Sequence, residues 1–149
     1  MTTTPPASGR IIESDDEIAL LLAQTNRIAV IGIKTEESMQ PAYYVPEYAQ
    51  RAGYDIVPVP VYYPEATEIL GQKVFRSLAA IPGPVDMVNM FRRPKDLAAH
   101  LDDILAKKPR SVWLQLGIRD DPFAARLTSA GIDVVQDRCL LVELRSHNR

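Results

Sequence analysis

With 149 residues, 46% of them apolar and 24% charged, the chain has the size and balance of one globular domain that buries its core without metal or disulfide staples. Its net charge of −2 gives no electrostatic ground for nucleic acid or an acidic membrane surface as partner. One cysteine, Cys139, excludes an intramolecular disulfide framework and a multi-cysteine metal site and suits a reducing compartment; no apolar run approaches the ~20 residues of a membrane span.

Residues 1–10 are rich in Thr, Pro, Ala and Ser and lack the apolar stretch of a signal peptide, so they read as a disordered tail of a cytoplasmic protein, with one domain over 11–145. Ser14 with Glu17 three residues later forms a capping box, and Ile18, Leu21 and Leu22 continue it as an amphipathic helix to about Gln24. Arg27 to Gly32 is an apolar run without polar alternation, as in a strand buried on both faces. A polar loop leads to Pro41 and a helix with Val45, Tyr48, Ala49 and Ala52 on one face; Pro46 is expected in its first turn, since an interior proline breaks helices. Gly53 ends it.

Tyr54 to Val59 is the second strand, followed by a long loop over 60–71 and a helical turn around Arg76 to Ala79. Val85 to Phe91 is the third strand. Pro94 then opens a helix to Lys107 with an inner stripe of Leu97, Leu101, Ile104 and Leu105. Ser111 to Leu116 is the fourth strand. Asp120 or Asp121 caps a helix carrying Phe123 and Leu127, closed by Gly131; Ile132 to Val135 is the fifth strand, and the last residues read as a polar end. Five strands alternating with helices define an α/β class: a Rossmann-like, doubly wound parallel sheet in three α/β/α layers.

Ligands of such sheets bind beyond the carboxyl ends of the strands. Here those ends supply Gly32, Ile33 and Lys34; Pro60, Val61 and Tyr62; Phe91, Arg92 and Arg93; Gly117, Ile118 and Arg119; and Gln136 to Cys139. Cations with interleaved apolar groups suit a phosphorylated ligand with a flat or apolar part. No G-x-G-x-x-G and no G-x-x-x-x-G-K-[ST] is present, so the usual phosphate signatures are missing.

Several segments carry a resemblance: Ile28 to Gly32, Gly53 to Val59, Glu68 to Gly71, Val85 to Arg93, Val112 to Ile118 and Asp137-Arg138-Cys139. In this order and spacing they resemble the CoA-binding domain proteins, small Rossmann-like domains similar to the CoA-binding domain of the succinyl-CoA synthetase alpha subunit. The resemblance runs from about Ile28 to Glu143. It implies coenzyme A, or an acyl-CoA, in the cleft over the strand ends. Gly32, Ile33 and Lys34 would border the adenine-nucleotide part, with Pro60 and Val61 along the same side. Phe91 and Arg92 would meet the ligand after the third strand, and Gln115, Gly117 and Ile118 would line the floor. Lys34 departs from a frequent serine, and Pro60-Val61 from an asparagine-proline pair.

Other residues have plainer readings. Trp113 and Gln115 alternate along a strand, one as core and the other as a buried amide. Asp137-Arg138 reads as an internal ion pair. Cys139 reads as a small buried hydrophobe, or else as a thiol near the CoA sulfur activated by Arg138. His100 is expected to face solvent, His147 lies in the polar end, and Asp102-Asp103 sit on the polar helix face. The sequence offers no base–nucleophile pair and no metal set, so a CoA-binding module without chemistry of its own is expected. The alternatives are an NAD- or adenine-nucleotide-binding subunit of an enzyme and a protein-interaction domain; a protein partner or homo-oligomer is left open.

Overall fold

The apolar runs pair as parallel strands in the order β2-β1-β5-β6-β7: β1 (Arg27–Ile31), β2 (Asp55–Val59), β5 (Met87–Met90), β6 (Ser111–Leu114) and β7 (Asp133–Val135). This computed structural model describes residues 8–149. The expected tail therefore falls mostly outside the described residues, but its end is corrected. Gly9 donates to the Thr128 carbonyl, and the Arg10 amide donates to the Asp133 carboxylate at 2.9 Å.

Successive strand residues enter opposite cores. Ala29 and Ile31 join Val57, Val88, Leu114, Leu97, Ile104, Phe123 and Leu127 on one side, while Ile28 and Val30 join Ile56, Met87, Trp113, Ile18, Leu22, Val45 and Leu144 on the other. Burial on both sides explains why β1 has no polar alternation. The helices complete a three-layer α/β/α architecture. α1 (Asp15–Ala23), α2 (Pro41–Arg51) and α6 (Leu140–Ser146) cover one face; α3 (Pro94–Leu97), α4 (Leu101–Lys107) and α5 (Asp121–Ser129) cover the other. A 3-10 turn, Ala98–His100, joins α3 to α4.

The capping reading holds for both α1 and α5. Ser14 Oγ accepts from the Glu17 amide at 3.2 Å, and Asp120 Oδ1 accepts from the Phe123 amide at 3.0 Å.

Four expectations are corrected. Pro46 lies inside α2, not in its first turn. Its missing N–H leaves the Ala42 carbonyl without an intrahelical donor, and the Lys34 amide fills the place at 3.1 Å. No helical turn forms around Arg76 to Ala79, because the Leu78 and Ala79 amides donate to Asp103 at 2.7 and 3.0 Å. Asp103 is thus a tertiary cap rather than a solvated charge. The long loop contains a small antiparallel hairpin, β3 (Glu68–Ile69) with β4 (Gln72–Lys73), turning at Leu70 and Gly71, both at positive φ. The polar end is helix α6, which runs to Ser146, past the expected boundary at 145.

Candidate functional site

The order of strand addition reverses at β1: the chain leaves β1 toward β2 and returns to pair β5 on the other side of β1. Loops that depart in opposite directions leave a crevice at the carboxyl edge. Two adjoining hollows occupy it. The main cleft, about 450 Å³, has a wall from the start of α2, a wall from Phe91 to Pro94 and a floor of Gln115 to Ile118, with Cys139 at its margin. The side cleft, about 330 Å³, lies between Gly32 and Ile33 and the Val61-Tyr62-Tyr63 loop. Lys34, Phe91 and Arg92 line both and so mark their junction.

The crevice depends on Gly32. Its φ is +87°, and a Cβ there would stand 2.3 Å from the Phe91 carbonyl oxygen, so the ends of β1 and β5 come together only around a glycine. Lys34 Nζ donates to Gln40 Oε1 and stays half-buried. Arg92 Nε donates to His100 Nε2 at 3.2 Å, and its terminal nitrogen stands 4.0 Å from Asp96. His100 is therefore not solvent-facing; burial first, and the Arg92 charge second, lower its pKa from the ordinary 6.5. Arg93 pairs with Asp96 at 3.1 Å. Arg76 holds the side-cleft loop by donating to the Tyr62, Tyr63 and Ala66 carbonyls at 3.1, 2.8 and 3.1 Å.

Gln115 is the buried amide of the floor, at 4% exposure, while Trp113 is core and donates its Nε1 to the Arg138 carbonyl at 2.8 Å. Gln115 Oε1 accepts from Asn89 Nδ2 at 3.4 Å and from the Leu140 amide at 3.3 Å. Those two donors fix which end of the amide is oxygen. Its Nε2 has no hydrogen-bond partner among the described residues.

Of the sequence-derived residues, Lys34, Phe91, Arg92, Gln115, Gly117 and Ile118 meet in the main cleft, and Gly32, Ile33 and Val61 in the side cleft. Pro60 is buried and lines neither hollow; the next residue, Val61, turns outward instead. Several backbone amides of the crevice are engaged within the fold. Those of Gly32, Lys34 and Ile118 bond the Val59, Ala42 and Gln115 carbonyls, and the Gly117 amide bonds Asp137 Oδ1 at 2.6 Å. The Asp137-Arg138 ion pair is also corrected: Arg138 pairs with Glu143 at 2.8 Å and donates to the Glu13 carbonyl at 2.9 Å. Arg138 is thereby turned to partners other than the neighbouring thiol.

Sequence reasoning missed Gln40, Pro41, Ala42, Tyr44, Pro94 and Leu116 as cleft lining. The available signal was positional: a helix that follows a strand starts at the same edge as the strand ends.

Comparison with known proteins agrees with this fold. Residues 26–145 match the family model described as CoA binding domain, and the chain belongs to that family. An uncharacterized protein of Bacillus subtilis (strain 168), YneT, is 34% identical over 129 residues, which is 87% of this chain and 93% of the relative. A solved Thermus thermophilus protein is 41% identical with a TM-score of 0.83, covering 91% of this chain and 99% of its own. A hypothetical protein from Pyrococcus horikoshii OT3 is 27% identical with the same TM-score of 0.83, and the match covers 100% of both chains. Among the described residues no helix is long and apolar enough to cross a membrane.

Proposed function

We propose that this chain holds coenzyme A, free or as a short acyl thioester, as an accessory nucleotide-binding module of the cytoplasm that performs no reaction by itself. The observation that carries this reading is the placement of Lys34 and Arg92 where two hollows meet at the sheet's switch point. Two cations at a junction suit the diphosphate in the middle of an elongated ligand. The side cleft, with Gly32, Ile33, Val61 and the paired rings of Tyr62 and Tyr63, takes the adenosine part. The main cleft, with Phe91, Gln115, Gly117 and Ile118, takes the pantetheine arm, whose amides match a floor that offers the Gln115 amide among apolar groups.

NAD fits less well. A ribose-binding acid is expected at the end of β2, where Val59 and Pro60 stand, and the glycine fingerprint is missing. Native mass spectrometry with equimolar CoA, acetyl-CoA, NAD and ATP tests the reading. Retention of CoA or acetyl-CoA against NAD and ATP is the expected result. A protein that retains NAD or ATP instead, or no nucleotide at all, overturns it.

A further inference from the structure

We propose that Cys139 is a site of covalent modification by coenzyme A, entered by exchange with CoA disulfide. The inference rests on the CoA reading above and goes beyond it, since it turns a reversible cleft into one that can retain its ligand. Cys139 packs against the core beneath one sheet face, yet it is partly exposed and lines the main cleft.

Its position is held from both sides. The carbonyl of the preceding residue, Arg138, accepts from Trp113 Nε1 at 2.8 Å, and the amide of the following residue, Leu140, donates to Gln115 Oε1 at 3.3 Å. Trp113 is fully buried, and Gln115 is 4% exposed, so both anchors belong to the sheet rather than to the surface.

A second, independent feature points to a ligand at the same place. Gln115 Nε2 is a donor without a partner among the described residues, on a residue more than nine-tenths buried that lines the floor of that cleft. Such a donor, open to the cleft and without a protein acceptor, is available to a ligand. An acceptor carried by the ligand, such as a carbonyl of the pantetheine arm, completes it. With the diphosphate at Lys34 and Arg92, the arm passes Gln115 and its sulfur ends at the margin where Cys139 stands.

The step is a thiol–disulfide exchange. The Cys139 thiol gives its proton to solvent, and the thiolate sulfur attacks one sulfur of CoA disulfide. A new S–S bond forms to one CoA moiety as the old S–S bond breaks. The other CoA leaves as thiolate; the Cys139 sulfur is oxidised and the leaving sulfur reduced. Holding the disulfide in the cleft raises its effective concentration at Cys139 over that of a disulfide that does not bind there.

Intact-mass kinetics on the purified full chain test this, with CoA disulfide and glutathione disulfide at equal concentration, alongside calorimetry of CoA binding under a non-thiol reductant. The expected result is one CoA adduct mapping to Cys139, formed roughly tenfold or more faster than the glutathione adduct. It is slowed by excess adenosine 3′,5′-bisphosphate and lost in Cys139→Ser. Equal rates with both disulfides overturn the proposal, because the thiol would then react only as an accessible cysteine. CoA binding by calorimetry with no adduct overturns it while leaving the function intact. Absence of both removes the function and the modification together.

Discussion

The two edges of the sheet treat their polar groups in opposite ways. At the amino edge several are consumed internally, while Arg27 Nε and Ser111 Oγ stay buried without a hydrogen bond among the described residues. Asp86 accepts from the Asn26 and Arg27 amides at 3.0 and 2.8 Å, Arg27 reaches the Pro82 carbonyl at 2.6 Å, and Asp103 takes the Leu78 and Ala79 amides. At the carboxyl edge, Lys34 and Arg92 are held only by neutral partners or a carboxylate 4.0 Å away, and Gln115 keeps a free donor. Large apolar groups stand exposed at or beside the same edge: Tyr62 at 74%, Leu116 at 66% and Val61 at 46%. The amino edge spends its carboxylates on backbone amides, and the carboxyl edge turns its cations and apolar groups toward a cleft, as a binding edge requires.

Substitutions can sharpen or break this contrast. Gly32→Ala carries the largest expected effect, because it forces a side chain into the left-handed region and onto the Phe91 carbonyl at 2.3 Å. A loss of about 4 kcal/mol in urea unfolding is expected. Wild-type stability would mean that the crevice is not built on this close approach. Next, Asp86→Ala removes the acceptor of two backbone amides and should cost about 3 kcal/mol of stability, with the CoA affinity of the folded protein unchanged. A matching drop in affinity would show that the amino edge is not separate from binding.

Lys34→Ala and Arg92→Ala should do the reverse. Each is expected to lose about 1.5–3 kcal/mol of CoA affinity by calorimetry, with stability changed by no more than about 0.5 kcal/mol. Unchanged affinity in both would move the ligand elsewhere.

The smallest effect is a pH dependence. Burial and Arg92 lower the pKa of folded His100, so the unfolded chain takes up the proton first as pH falls. The stability this histidine supports is therefore present above its ordinary 6.5 and declines as pH drops through that value toward the folded pKa. Urea midpoints of wild type should fall further on acidification than those of His100→Gln, which keeps an acceptor for Arg92 without the titration. Parallel curves would remove His100 from the account.

Elements with their own local signal were legible in the sequence. Ser14 and Asp120 cap the helices they were expected to cap, and β1 and β6 follow uninterrupted apolar runs. Elements defined by tertiary partners were not. Cys139, at the cap of α6, makes no side-chain hydrogen bond; the helix is fixed by its packing on α2 and by burial of Leu140 and Leu144. The β3–β4 strands are two residues each, too short for periodicity to register. At the site, strand ends located Lys34, Phe91 and Arg92, because topology places such residues, while Gln115 came from the family resemblance. Which amides were already engaged depended on distant partners such as Asp137 and Ala42, which spacing along the chain does not reveal.

The proline inside α2 reaches further than its own helix. Because Pro46 brings no N–H, the second turn cannot close on itself, and the amide that closes it comes from Lys34, outside the helix. Helix formation and docking of the first loop are therefore one cooperative event: an isolated Pro41–Arg51 segment is always one bond short, and the cation that serves the cleft is set in place by the same act that completes the helix.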